Sequence, residues 1–179
     1  MAPRSVAELL ALPSPPKLLL FWNHQPERNG AVGRGCLSQW WPVELDDDGL
    51  SFRSAEHYMM FHKALLFEDQ ETAGKILAAD HPGEAKSLGR EVRGFSAQVW
   101  EARRFEIVTR GNELKFGQHE DLRAYLLGTG ERVPVEASPL DAVWGIGLAA
   151  DDERAQDPSQ WLGENLLGFA LMAARDRLR

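Results

Sequence analysis

Cysteine is nearly missing from this chain: Cys36 is the single one in 179 residues. One thiol cannot build a disulfide framework within the chain, and a cysteine-rich metal site is excluded. Nothing beside Cys36 in the sequence suggests an activated nucleophile, so it reads as a small loop or core residue. Basic charge is also in short supply. Lys and Arg number 20 against 27 Asp and Glu, for a net charge of −7. That balance argues against gripping a nucleic-acid backbone by bulk attraction, which needs a basic face, and still leaves room for a local basic pocket. The N-terminal apolar run, residues 6–12, contains Glu8 and stops at Pro13, Pro15 and Pro16. It is too short for a membrane span and a poor signal peptide, so no membrane partner is expected and the cytoplasm is the expected compartment.

Several familiar motifs are absent too. The glycines at 30, 33 and 35 lack the Lys-Ser/Thr of a P-loop and a Rossmann context, and no Gly-x-Ser-x-Gly elbow occurs. Asp46-Asp47-Asp48-Gly49 lacks the spacing and later Glu of an EF-hand, so it reads as a solvated turn. His57 and His62 are five residues apart and splay on a helix, which argues against zinc. No metal and no cofactor is expected.

What the chain does contain suits one domain with a real core. Hydrophobic residues make up 44%, including six Trp and eight Phe. Residues 1–16 read as a short helix or disordered arm and 17–179 as the domain. A buried strand is expected at 17–22, a Gly-rich loop at 23–36, and a small hairpin from 40–45 and 50–53. From Ser54, a good N-cap, the pattern turns helical. Further helices are expected at 70–79, from Pro82 to about Gly89, from Ser96 to about Lys115, at 120–127 and at 162–178, with a short strand at 132–136. The last helix should bury a stripe of Leu162, Leu166, Phe169 and Ala173. The fold class is mainly α (α+β), a multihelical domain with a small β element.

Three groups of residues can carry chemistry. The first lies on the helix after Ser54, where Glu56 and Lys63 are seven residues apart and project from nearly the same face of a mostly apolar helix. Met60 lies between them as a candidate pocket floor. A carboxylate and an amine there need partners. Glu56 can act as an acid, a base or a stabiliser of positive charge, and Lys63 as an anion grip or a nucleophilic amine. The alternative is a surface pair of Glu56 with Arg53 and a snorkelling Lys63. The second group runs from Ser138 to Gly147, with Asp141 as a second carboxylate and Trp144-Gly145 allowing close backbone approach to a ligand. Its alternative is a tight turn capped by Asp141 with Trp144 plugging the core. The third is Gly89-Arg90 with Trp100, Arg103, Arg104 and Lys115. Here Arg suits phosphate and Trp suits stacking, against a core Trp with solvated arginines.

Four segments in register carry a resemblance. Ser54-Ala55-Glu56-His57-Tyr58 through Lys63-Ala64 is the first, and Leu114-Lys115-Phe116-x-Gln118-His119 through Thr129-Gly130 the second. The third is Val135-Glu136-Ala137-Ser138-Pro139-x-Asp141-x-x-Trp144-Gly145-x-Gly147-Leu148, and Gly163-x-Asn165-x-Leu167-Gly168 closes the set. Together they resemble the NADAR, or YbiA-like, family over about residues 18–178. Leu37-Ser38-Gln39-Trp40 departs from the Leu-Ser-Asn-Phe common in that family, in a segment expected to shape the substrate wall.

The resemblance implies cleavage of N-glycosidic bonds to ribose. It implies Glu56, Trp100 and Asp141 as the catalytic constellation, with Lys63 either beside them or binding. Arg90 and Asn165 are implied as pocket residues, and His57, Trp144 and Gly145 of the same motifs complete the expected substrate-binding set. The substrate it favours is ADP-ribose linked to guanine in nucleic acid. The alternatives are ribosylamino-pyrimidine phosphate intermediates of riboflavin synthesis and a module that binds NAD or ADP-ribose without turnover.

Overall fold

The structure, a computed structural model, describes residues 3–179. Helix α1 (Val6–Leu10) starts at Ser5, whose hydroxyl accepts from the Glu8 N–H. Its Leu9 buries among Val133, Val135 and Ile146, so the N-terminal segment is anchored to the domain. Strand β1 (Leu18–Phe21) follows the prolines. The next segment is irregular apart from a 3-10 turn at Arg34–Leu37 that buries Cys36 and Leu37. Burial pushes the Cys36 thiol up to about 12, which makes it inert at neutral pH.

Strands β2 (Leu45–Asp47) and β3 (Leu50–Phe52) form the expected hairpin, with Asp48 and Gly49 both at positive φ in its turn. The hairpin is shorter than expected, because residues 40–44 do not join the ladder. The Trp40 N–H is taken by the Ser38 hydroxyl and the Trp41 N–H by the Ser38 carbonyl, and Pro42 has no N–H to offer.

Helix α2 (Ala55–Leu66) begins at Ser54, whose hydroxyl accepts from the His57 N–H. Eight of its residues are buried, Glu56 and His57 among them. Its apolar girth is covered by α3 (Gln70–Ala78), α4 (Pro82–Arg90) and α5 (Ala97–Gln118). Pro82 and Ser96 start α4 and α5 as their residue types dictate. At Gly89 the α4 backbone meets the Met60 side chain so closely that a β-carbon would collide with its sulfur. Helix α6 (Glu120–Gly128) leads into β4 (Val133–Glu136), which pairs in parallel with β1 from Leu18–Val133 to Phe21–Glu136.

Helix α7 (Leu166–Leu178) packs on α5 and β4. It starts four residues later than the sequence suggests. Asn165 adopts a left-handed conformation with φ of 53°, and Gly163 presses against the Gly145 carbonyl where no β-carbon fits. Leu162 is therefore off the helix and 62% exposed rather than part of its apolar stripe. Two buried cations staple the irregular segments to the helices. Lys115 Nζ donates to the Ser38 carbonyl at 2.7 Å, and Arg175 donates to Thr129 Oγ1 at 2.7 Å and the Arg132 carbonyl at 2.9 Å. Burial lowers the Lys115 amine to about 7.

Candidate active site

A cavity of about 400 Å³ opens between α2, α4, the start of α5 and the segment that leaves β4. Three carboxylates from three elements line it. Glu56 comes from the first turn of α2, Glu136 from the last position of β4, and Asp141 from the following loop. Glu56 is 4% exposed, and among the described residues no donor reaches its carboxylate. Burial pushes it up to about 7, opposed by Lys86 and Arg90 and reinforced by Asp141. Burial also pushes Glu136 up to about 8, with the charges of Asp141 and Glu56 adding to the effect. Its Oε2 is shut off from solvent and has no hydrogen-bond partner. Asp141 Oδ1 accepts from the Val143 and Trp144 N–H groups at 2.9 and 2.8 Å, the local turn its residue type favours. The capped carboxylate is also a wall of the cavity, so the local turn does not remove Asp141 from the pocket.

Cations and aromatics face these acids. Lys63 Nζ donates to the Gly89 carbonyl at 2.7 Å, 4.6 Å from the Phe95 ring centre and 5.7 Å from that of Trp100. Burial, and secondarily Arg90, lowers its pKa. Lys86 and Arg90 are one turn apart on α4 and line the cavity, and among the described residues neither has a carboxylate within salt-bridge distance. Arg104, by contrast, is paired with Glu164 at 3.1 Å. Glu56 does not pair with Arg53, which instead holds Asp80 and the Ala79 carbonyl, each at 2.6 Å. Trp100 is buried and lines the cavity, as do Met60 and Trp144.

The structure thus brings Glu56, Lys63, Arg90, Trp100, Asp141 and Trp144 together. His57, Gly145 and Asn165 lie outside the lining and form the framework behind it. His57 has both ring nitrogens occupied, Nδ1 by the Ser54 hydroxyl at 2.7 Å and Nε2 by the Ala79 carbonyl at 3.1 Å. Gly145 packs where a β-carbon would lie 2.8 Å from the Glu136 carbonyl oxygen. Asn165 Oδ1 accepts from the Glu136 N–H at 3.1 Å, and its Nδ2 donates to the Pro134 carbonyl at 3.0 Å. Asn165 therefore fixes the strand end that delivers Glu136.

Residues 20–179 match the family model described as the NADAR domain. The chain belongs to the NADAR family. An N-glycosidase of Acanthamoeba polyphaga mimivirus is 45% identical over 158 residues, covering 86% of this chain and 92% of that protein. The N-glycosidase YbiA of Escherichia coli is 30% identical over 138 residues, covering 77% and 76%. The NMR structure of Escherichia coli YbiA superposes with a TM-score of 0.71 at 26% identity, over 90% of this chain and 84% of that one. A riboflavin biosynthesis protein of Vibrio vulnificus is 30% identical over 156 residues, which are 87% of this chain and 38% of that protein.

Two lining residues of this NADAR domain escape a reading of the sequence by type and spacing. Glu136 ends a strand whose other three residues are buried, and Lys86 lies on a short polar helix. For Glu136 a signal existed, because an acid at the end of a fully buried strand is costly unless a site uses it. For Lys86 there was none, since its position depends on how α4 packs on α2.

Proposed function

We propose that this protein hydrolyses the C1′–N bond of a ribosyl N-glycoside, and that the bond it acts on joins ADP-ribose to a guanine base. The carrying observation is the set of three carboxylates, two with raised pKa values, facing unpaired Lys86 and Arg90 across one aromatic-lined cavity. The N-glycosidase names of relatives across most of their length support the reaction class.

The chemistry follows from the residue types. Breaking the bond sends its electron pair to the base nitrogen and leaves oxocarbenium-like positive charge on the ribose. Glu136, protonated at neutral pH, gives its proton to the departing nitrogen. Glu56, which ionises near 7, stabilises the sugar cation and takes a proton from the water that adds to C1′. Asp141, clamped by two N–H groups, keeps negative charge close to the same centre. Arg90 and Lys63 hold the phosphates, and Trp100 packs against the ribose face.

A second substrate, a ribosylamino-pyrimidine phosphate, is favoured by the relative named for riboflavin biosynthesis. It carries the same bond on a smaller anion. A panel of ADP-ribosylated guanine oligonucleotides and ribosyl-phosphate intermediates, read by mass spectrometry, separates the two. Release of ADP-ribose from guanine is expected. Intact oligonucleotides alongside degraded ribosyl-phosphates would replace the first substrate with the second.

A further inference from the structure

The carboxylate cavity does not end at the carboxylates. A second hollow of about 410 Å³ adjoins it and shares Ser38, Trp40, Lys86, Glu136 and Asp141 with it. The remaining walls of this second lobe are Trp22, Asn23, His24, Ser138 and Leu140. The parallel pairing of β1 and β4 explains the arrangement. Both strands end at the same edge, and the Ala137 N–H donates to the Phe21 carbonyl at 2.8 Å to extend the pairing. Trp22, one residue past β1, and Glu136, the last of β4, are thereby delivered to one rim. In open α/β sheets, too, ligand sites lie outside the carboxyl ends of parallel strands.

The two lobes differ in chemistry. Arg90, Lys63 and Arg104 lie in the first lobe and not in the second, which shares Lys86 and has no arginine. The second lobe instead sets two tryptophans and Leu140 among neutral polar side chains, Asn23, His24, Ser38 and Ser138, which can meet the edge of a ring. Trp40 packs its ring 5.8 Å from that of His24, while Trp22 is 51% exposed and Leu140 88% exposed. Large apolar side chains left open beside a reaction centre are suited to a flat ring that arrives with the substrate.

We infer that the second lobe is the leaving-group subsite, in which Trp22, Trp40 and Leu140 take the heterocyclic base while the first lobe holds the phosphate-bearing ribosyl half. The inference rests on the N-glycosidase reading and assigns direction to it. The C1′–N bond then lies at the neck, where Glu136 and Asp141 belong to both lobes. On cleavage the nitrogen receives the bond's electron pair and a proton from Glu136, water supplies the hydroxyl at C1′, and base and sugar leave by opposite lobes. Leu37-Ser38-Gln39-Trp40, which departs from the family pattern, contributes Ser38 and Trp40 to the shared wall, so the departure falls where the base would be sorted.

The test uses the full chain, Trp22→Ala and Leu140→Ala, and two substrates that share the ADP-ribose half. One carries guanine as the leaving group and the other, NAD, carries the smaller nicotinamide. Trp22→Ala should raise KM for the guanine substrate by about 10-fold, the effect of losing one base-stacking contact, with kcat nearly unchanged. Leu140→Ala should raise it less. Calorimetric affinity for free ADP-ribose, which has no leaving group, should stay within about 2-fold in both variants, and the NAD reaction should respond less than the guanine one. A matching loss of ADP-ribose affinity in Trp22→Ala would mean that the lobe holds the other half of the substrate, and an unchanged KM for guanine would mean that it holds nothing. If the wild type cleaves no N-riboside, the glycosidase reading fails by itself. Calorimetric binding of guanosine then tests the lobe: binding lost in Trp22→Ala supports it, whereas binding absent from the wild type or retained in the variant overturns it.

Discussion

Lys63 Nζ lies 2.7 Å from the carbonyl oxygen of Gly89, so α2 is latched to the last turn of α4 inside the cavity. The latch brings a cation to the C-terminal end of a helix, where its charge is favoured, and leaves the next residue, Arg90, exposed and facing the same space. Replacing Lys63 with Ala should cut kcat/KM by at least about 100-fold, because an anion contact and the α2–α4 latch are lost together. Borohydride treatment of the working enzyme divides the two roles of the amine. A trapped adduct that disappears in Lys63→Ala assigns it to imine chemistry, while no adduct and a raised KM assign it to phosphate binding.

Glu56→Gln removes the ionisable oxygen and keeps the shape. Turnover should fall by about 100-fold or more, the scale of losing a positioned acid–base group, with an unchanged circular dichroism spectrum. Near-wild-type kcat in the variant would take Glu56 out of the reaction.

The pH profile should be narrow. In the proposed mechanism activity needs Glu56 ionised, so it should rise as pH climbs through about 7. It also needs Glu136 protonated, so it should fall as pH climbs past about 8. The maximum is expected between those values in kcat/KM measured from pH 5 to 10. Glu136→Gln should lower the rate throughout and abolish the alkaline limb.

The same shift has a cost in stability, and its sign can be stated. Folding raises the Glu136 pKa from 4.5 to about 8, so the folded chain binds more protons than the unfolded chain in between. The contribution of Glu136 to stability is fully present below 4.5 and is lost as pH rises through about 8. The loss is on the order of 5 kcal/mol. Glu136→Gln should therefore melt several degrees above the wild type at pH 9, with the gap closing at pH 4, in paired thermal denaturations.

Asn165→Ala should behave as a framework change. It strips a partner from the Glu136 N–H and from the Pro134 carbonyl, and it puts Ala at a left-handed position that Asn tolerates better. The expected cost is about 2–3 kcal/mol, or roughly 5–10 °C in Tm, with lower kcat and little change in ADP-ribose affinity. A large loss of ADP-ribose affinity at unchanged Tm would instead place Asn165 in contact with substrate.

Much of the helical frame is legible from local rules. Ser54, Ser96 and Pro82 each start a helix as their side chains dictate, and α6 ends near the expected glycine. The errors arise where backbone contacts override local preference. Residues 162–165 carry helix-forming neighbours, yet the chain is held open there by the Glu164 N–H bond to the Ala142 carbonyl and the Asn165 N–H bond to the Gly145 carbonyl. The hairpin loses Trp40 and Trp41 because Ser38 takes their donors, and Pro42 has none to give, although the Val43 N–H still reaches the Arg53 carbonyl. His57 reads as a pocket residue beside Glu56, but adjacent helical positions point about 100° apart, and His57 faces Ser54 and Ala79 instead.

The sequence by itself determined the helices, the spacing that puts Glu56, Met60 and Lys63 on one stripe, and, through four motifs in register, the family. These depend on contacts within a few residues or on side-chain chemistry that any fold would preserve. Tertiary structure alone decided that Glu136 and Lys86 join the site, that Arg53 and His57 do not, and that two lobes meet at the carboxylates. Those outcomes depend on a parallel pairing between β1 and β4, more than 100 residues apart, and on the packing of α4 against α2. No local pattern encodes distances across such separations, and it is those distances that bring the acids close enough to raise one another's pKa.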